Sequence, residues 1–474
     1  MKFKEIEFGM AAAENERSSK PHLLTEGFLD AYGYVNAVLN KNKFLILGPK
    51  GSGKSAIGSK LELESVNDNR LYVQTYYLED FPYNTFSGIL PGREAPETKF
   101  PNHWEFILLI SFMDSFSKDS TCKSTGKIDM NKLIKALQEL GMISGKSLTD
   151  IVKNTTKREF KMSLPKVLEG SYSSEKEIKK LDITRLFSSL QNVCYSLKTE
   201  SNHMIVIDGL DDALTKRGTQ YTSLSALILA VDRINRKFLN NNVKAKIVVL
   251  CRTDLFEKLP RANKNKIRQD SAIVLDWYQD VKNVSSTNLV KLINLRAKLS
   301  LNRMVDIFEE FLPPEIWPGL STGKALLDHT RHTPRDIIQL LNKVQEHTKS
   351  INPTRNEVMN GIRTYSFDYL VPEIRDELAG YLEPDEIEQA IKLLGNMEKS
   401  KFDLDELQHT VKNDGRFSSL DSMKILNALF DCNAIGNVLK GTYHSWKYRN
   451  RYASFDPNEQ IVVHRGLRKG LNLP

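Results

Sequence analysis

The sequence predicts an α/β protein: a parallel-sheet P-loop core with a helical insertion, then an α-helical lid and a C-terminal winged helix. Three observations carry that prediction. The apolar run FLIL at 44–47 opens directly into the glycine-rich GPKGSGKS at 48–55. Two further apolar runs, MIVI at 204–207 and IVVL at 247–250, end in Asp208 and in Cys251-Arg252-Thr253-Asp254. From Ser285 onward strand patterns give way to helical periodicity, until aromatic and basic residues alternate in YHSWKYRNRYASF at 443–455.

The first motif is the most specific. Gly48, Gly53, Lys54 and Ser55 stand at every fixed position of GxxxxGK[ST], with Pro49, Lys50, Gly51 and Ser52 between them and Ala56 after. Glycines let the backbone turn its N–H groups inward around phosphate oxygens. Lys54 reaches the β- and γ-phosphates, Ser55 offers a hydroxyl to Mg²⁺, and the helix that follows aims its positive end at the anion. Average residue usage produces such a match by accident in roughly one chain of this length in fifty, and a preceding apolar strand makes accident rarer still. A phosphate cradle also needs a carboxylate for the metal at the end of a neighbouring buried strand. Asp208 fills that place, and Asp211 and Asp212 are the candidates to orient or deprotonate the attacking water. Arg252 or Thr253, at the carboxyl end of the third strand, would sense the γ-phosphate, because ligands of open α/β sheets lie there. SAIVLDW at 271–277 reads as one more strand of the same sheet.

These boxes resemble the AAA+/STAND division of P-loop ATPases, and IDGLDD resembles the Walker B box of its NACHT-type members. The helical and winged-helix tail is similar to the origin-recognition branch. The resemblance implies ATP and Mg²⁺ as ligands and hydrolysis of the β–γ phosphoanhydride. It places Arg335, in the first turn of the helix after HTP, at the sensor-2 position of the lid. Relatives of this architecture are met in antiviral defence and mobile-element loci, which implies a switch whose nucleotide state controls conformation, homo-oligomer assembly or a protein partner. A nucleic-acid-remodelling ATPase and a small-molecule kinase are the other classes the cradle allows. The sequence departs from the family in two ways: Gly209 stands where a glutamate is usual, and the interval from Lys54 to Asp208 is long. The NKxD tetrapeptide of GTPases does not follow Cys251, which favours adenine.

Domain boundaries follow from the composition shifts: residues 1–280 as the core, with a helical insertion at about 81–180, 281–370 as the lid and 371–474 as the winged helix. In the insertion, NHWEFILLISFMDSF and DMNKLIKALQELGM read as amphipathic helices. In the tail, Asp403 caps a helix with Glu406 three residues on, and the next helix turns Met423, Leu426, Leu429 and Phe430 inward. Under a DNA reading, the hairpin arm puts Arg449 and Arg451 on one strand face with Lys447, toward double-stranded DNA phosphates, while Trp446, Tyr448 and Tyr452 pin the other face; the alternatives are a solvated strand face and a wing that reads a protein.

Composition narrows the classes further. A chain of 474 residues has room for two or three cores, and 40% hydrophobic with 27% charged residues is ordinary for a globular protein rather than a disordered one. A net charge of +8 permits nucleic acid or acidic surfaces without requiring them. The start lacks an apolar signal core, and FILLISFM at 106–113 is too short to span a bilayer, so no membrane partner and a cytoplasmic location are expected. The 4 cysteines form no CxxC pair and have no histidine at zinc spacing, which points to a reducing compartment and no cysteine-type metal site.

Overall fold

The computed structural model describes residues 2–79, 81–90, 95–157, 183–210, 219–260, 264–280, 283–417, 420–439 and 443–474. The chain divides into two compact units. One comprises Tyr32–Lys50 and Lys54–Leu275; the other comprises Met1–Ala31, Gly51–Gly53 and Asp276–Pro474.

Aliphatic runs without polar alternation are buried on both faces, the pattern of a parallel sheet. In the first unit such runs form β1 (Leu45–Gly48), β3 (Asn202–Asp208), β4 (Ala245–Arg252) and β5 (Ala272–Val274), with the half-buried β2 (Leu71–Tyr77) at one edge. Their order is β2-β3-β4-β1-β5, and every pairing is parallel. The strand ending at Asp208 does not neighbour the strand that feeds the glycine loop; β4 lies between them, so Arg252 rather than Asp208 stands level with Gly48.

The chain crosses from β1 to the far edge and then steps back through β3 and β4 to β5. Right-handed connections therefore place α1 (Lys54–Asn67) on one face and the later helices on the other. Alternate side chains report this. A Cβ on Gly58 of α1 would come 3.3 Å from Leu250 and 3.5 Å from Val206. Ile205, Ile207, Ile247 and Val249, on the opposite side chain parity, join the core shared with α2 (Pro96–Phe116), α3 (Ile183–Tyr195) and α4 (Thr219–Asn240). The direction of the chain reverses at β1, the kind of switch point outside whose carboxyl strand ends α/β sheets bind ligands.

α2 differs from its predicted amphipathic form. Every residue from Trp104 to Phe116 is buried, because α3 and α4 flank the helix while the sheet lies beneath it. Its indole is anchored by a hydrogen bond from Trp104 Nε1 to the Ser223 carbonyl at 2.8 Å.

In the second unit, α5 (Pro334–His347) starts where Thr333 accepts the Asp336 N–H at 3.2 Å and proline occupies the first turn. Further on come α6 (Pro384–Asn396), β6 (Lys401–Phe402), α7 (Leu404–Asn413), α8 (Ser422–Asp431), β7 (Ile435–Leu439), β8 (Tyr443–Ser445) and β9 (Gln460–Val463). Asp403 and Glu406 form a capping box on α7. The four strands pair antiparallel in the order β6-β9-β7-β8. On α8, Leu426, Leu429 and Phe430 are buried as expected from spacing, but Met423 is 37% exposed; Ile425 and Ala428 complete the inward face instead. Among the described residues no helix is long and apolar enough to cross a membrane.

Candidate functional site

The glycine loop carries its conformation in two residues. Gly51 and Gly53 have φ of +77° and +93°, a region that disfavours any side chain with a Cβ. Gly51 is also closely approached: a Cβ there would lie 3.1 Å from both Arg335 Cβ and Thr333 Oγ1. At Gly53 a Cβ would meet nothing within 4 Å. Two further bonds fix the crest of the loop, from the Trp277 indole Nε1–H to the Ser52 carbonyl at 2.8 Å and from the Arg335 N–H to the Gly51 carbonyl at 3.3 Å. Trp277 was not singled out for this role in the sequence, where it is only the last residue of the expected strand SAIVLDW; the strand itself ends at Val274.

α1 begins at Lys54, so Ser55 and Ala56 sit in its first turn, at the positive end of a 14-residue helix. The Lys54 side chain is buried and curls beneath the loop, donating to the carbonyls of Gly48 at 3.3 Å and Pro49 at 3.1 Å. Pro49 is exposed and Lys50 half-buried. The chemistry of this donor set fits an anion with a cation: a buried ammonium, a helix N-terminus and a serine hydroxyl converge within one turn. Ser52 Oγ is buried and, among the described residues, has no hydrogen-bond partner. Orphaned buried hydroxyls are rare and mark places where a ligand or water belongs.

At the carboxyl ends of the other strands the structure places Asp208, Arg252 and Thr253. Asp208 ends β3 half-buried, and its Oδ1 accepts the N–H of Gly209 at 2.8 Å. Gly209 has φ of +74°, and a Cβ there would stand 3.2 Å from Leu78 N and 3.4 Å from Glu79 Cγ. This accounts for a glycine after Asp208. The backbone at 209 is left-handed and crowded by the end of β2, so a glutamate there would be strained. Glu79, exposed at the end of β2, is a carboxylate beside that position which sequence reasoning passed over. Asp211 and Asp212 lie outside the described residues. Arg252 is buried and grips Asp254 with two bonds, Nε to Oδ1 at 3.0 Å and Nη2 to Oδ2 at 2.7 Å. Thr253 Oγ1 is a second buried hydroxyl with no partner among the described residues. Arg335 pairs with Glu373 at 3.4 Å.

The basic cluster of the tail is arranged differently from its prediction. The strand expected through 443–455 stops at Ser445, and the chain turns back on itself, with the N–H groups of Arg449 and Asn450 both donating to the Trp446 carbonyl. The alternating faces therefore do not exist. Lys447 pairs with Asp431 at 3.4 Å, and Arg451 with Asp276 at 3.5 Å. Arg449 lies over the rings of Tyr278 and Tyr448, at 5.5 and 5.9 Å. Trp446 is buried between Val438 and Val462, whereas Tyr452, expected to pin the hairpin, is 78% exposed.

Comparison with known proteins adds little to this geometry. No family model matches the chain. A curated protein of Escherichia coli (strain K12), described as "Putative transposon gamma-delta 80.3 kDa protein", is 20% identical over 499 aligned positions, covering 98% of this chain and 67% of its own length. Among solved structures, the Aeropyrum pernix Orc1 protein in complex with DNA aligns over 98% of this chain and 93% of its own, at 13% identity and a TM-score of 0.39.

Proposed function

We propose that this chain is a magnesium-dependent ATPase of AAA+/STAND type, a switch whose nucleotide state controls conformation, assembly or a protein partner. The observation that carries the reading is the passage from β1 through left-handed Gly51 and Gly53 into α1, with the Lys54 ammonium held beneath the loop. In this reading the loop amides from Gly48 to Ala56 and Lys54 bind the triphosphate, and residues 281–370 and 371–474 act as lid and winged helix. Ser55 and Asp208 would hold Mg²⁺, which would supply positive charge against the phosphate oxygens.

Asp254 orients Arg252, so that its guanidinium is presented in a fixed plane for a γ-phosphate. The water would be held by Asp211 or Asp212, or by Glu79, which stands where Gly209 provides no side chain. The order of strands and helices in the tail supports a winged helix: a short strand between the first two helices pairs with the last strand of the hairpin. A protein-reading wing is favoured over a DNA-reading one, since Lys447, Arg449 and Arg451 have partners within the unit.

The test is ATP binding and phosphate release by wild type and Lys54→Ala. Loss of charge-assisted bonds worth about 1.5–3 kcal/mol lowers both by roughly 10- to 100-fold, with the fold retained. Equal turnover in a folded variant would remove the assignment.

A further inference from the structure

We propose a second metal site, at the opposite end of β3 from Asp208, in which Asp119, Cys122 and His203 bind a zinc-class divalent cation. The three side chains come from distant parts of the sequence. Asp119 and Cys122 follow the end of α2, and His203 is the second residue of β3. Their donor atoms converge: Cys122 Sγ to His203 Nε2 is 3.7 Å, Cys122 Sγ to Asp119 Oδ2 is 3.3 Å, and His203 Nε2 to Asp119 Oδ2 is 3.1 Å. A tetrahedral zinc with ordinary bond lengths separates its sulfur from nitrogen or oxygen by about 3.6 Å and nitrogen from oxygen by about 3.4 Å. The observed triangle is within a few tenths of an ångström of that.

A second observation adds the threonine contacts to two of these edges. Asp119 Oδ2 lies within hydrogen-bond range of Thr199 Oγ1 at 2.6 Å and Thr121 Oγ1 at 3.0 Å, as well as of His203 and Cys122. Thr121 has an alternative in Oδ1 at 2.8 Å, but the remaining three donors still exceed the roughly two lone-pair sites of one oxygen. A cation at the centre removes the excess. The imidazole and sulfur then turn lone pairs toward the metal, Oδ2 keeps Thr199, and the thiol proton is released to solvent as the S–metal bond forms.

The outer contacts match those of a metal-bound histidine. His203 Nδ1 meets the buried Ser115 Oγ at 2.8 Å, which leaves Nε2 facing the centre, and Tyr72 stacks on the ring at 4.8 Å. A Cys-His-Asp nucleophile triad does not fit, because Asp119 and Cys122 share the same ring nitrogen instead of taking one each. The proposed role is a clip that ties the end of α2 to the amino end of the Walker B strand.

The experiment measures metal by mass spectrometry in tag-free full-length protein from zinc-supplemented culture, then titrates apo protein with Zn²⁺ against a chelator and with Co²⁺. About one zinc per chain is expected, with a thiolate-to-cobalt charge-transfer band. Cys122→Ser abolishes the band and weakens zinc at least about 100-fold, while Ser115→Ala, which leaves all three ligands, weakens it about 10- to 100-fold. Asp208→Asn retains the zinc, separating this site from any ion bound with nucleotide. Substoichiometric zinc below about a tenth per chain, a cobalt complex without the thiolate band, or wild-type affinity in Cys122→Ser would each overturn the proposal.

Discussion

Asp336 and Asp119 are both almost wholly buried carboxylates, one in each unit, and the structure gives them different company. Asp336 receives the Arg331 guanidinium, Nε to Oδ2 and Nη2 to Oδ1 both at 2.9 Å, and the Tyr369 hydroxyl at 2.8 Å. Burial opposes its ionisation, but the charge of Arg331 outweighs that and holds the carboxyl at about 2. Asp119 is also held well below the usual range against the effect of burial, here by hydrogen bonds from Thr199 and Thr121. Burial meanwhile lowers His203, so the imidazole beside it favours its neutral form. Hydroxyls and amides keep a proton off a carboxylate without supplying a positive charge. The Arg331 guanidinium supplies positive charge at Asp336, whereas hydroxyl, amide, thiol and imidazole groups surround Asp119, where the proposed cation would supply it.

The largest expected effect comes from removing the cation that is present. Arg331 is buried and also donates to Glu377 at 2.5 Å, so Arg331→Met leaves two carboxylates without their guanidinium. Breaking one side of a buried charge pair costs about 3–5 kcal/mol. Urea unfolding of the two proteins reads this directly. A loss under about 1 kcal/mol would mean that hydroxyl partners alone suffice for Asp336, and the contrast with Asp119 would collapse.

The same contrast has a pH signature. Asp336 is fully buried and its carboxyl falls from 3.8 unfolded to about 2 folded. A depressed acid stabilises the fold above its unfolded value, and that contribution is lost as pH falls through the folded value. The shift is worth about 2 kcal/mol near neutrality, of which roughly half remains at about pH 3. Arg331, Glu373, Glu377 and Tyr369 surround the group. The stability difference between wild type and Asp336→Asn should therefore narrow from about pH 6 to about pH 3. A constant difference would show that the charge of Asp336 is not what Arg331 holds.

These clusters also mark the limit of what the sequence could disclose. The glycine loop, the strand ending at Asp208 and the capped start at Thr333 were legible because each is contiguous, and its physics acts within a few residues. Cys122 and His203 are 81 positions apart, so spacing rules for zinc could not join them; only the fold brings α2 to β3. Strand order escaped for the same reason, since local pattern cannot tell that β4 separates β1 from β3. The tail hairpin misled in the opposite direction. Aromatic and basic residues alternated through 443–455, but Asn433 Oδ1 accepts the Tyr448 N–H at 2.8 Å and draws the chain into a turn. A tertiary bond overrode a local period.

Asp208 completes the comparison as a half-buried carboxylate whose Oδ1 accepts the Gly209 N–H. That amide depends on a left-handed backbone, at φ of +74°, pressed against the end of β2. Gly209→Ala puts a methyl 3.2 Å from Leu78 N and removes the freedom to adopt that φ without strain. The conformational term alone is roughly 1–2 kcal/mol, the smallest effect predicted here. If the backbone relaxes instead of bearing the strain, the amide leaves Oδ1 and the carboxylate loses its orientation. Either route lowers the urea midpoint, and under the proposed function the second lowers ATP turnover as well, because Asp208 would hold Mg²⁺ less firmly. Zinc content should not change in either case, since His203 lies at the other end of the same strand. A variant with unaltered stability and turnover would show that position 209 is not constrained, and that glycine stands there for a reason other than its backbone.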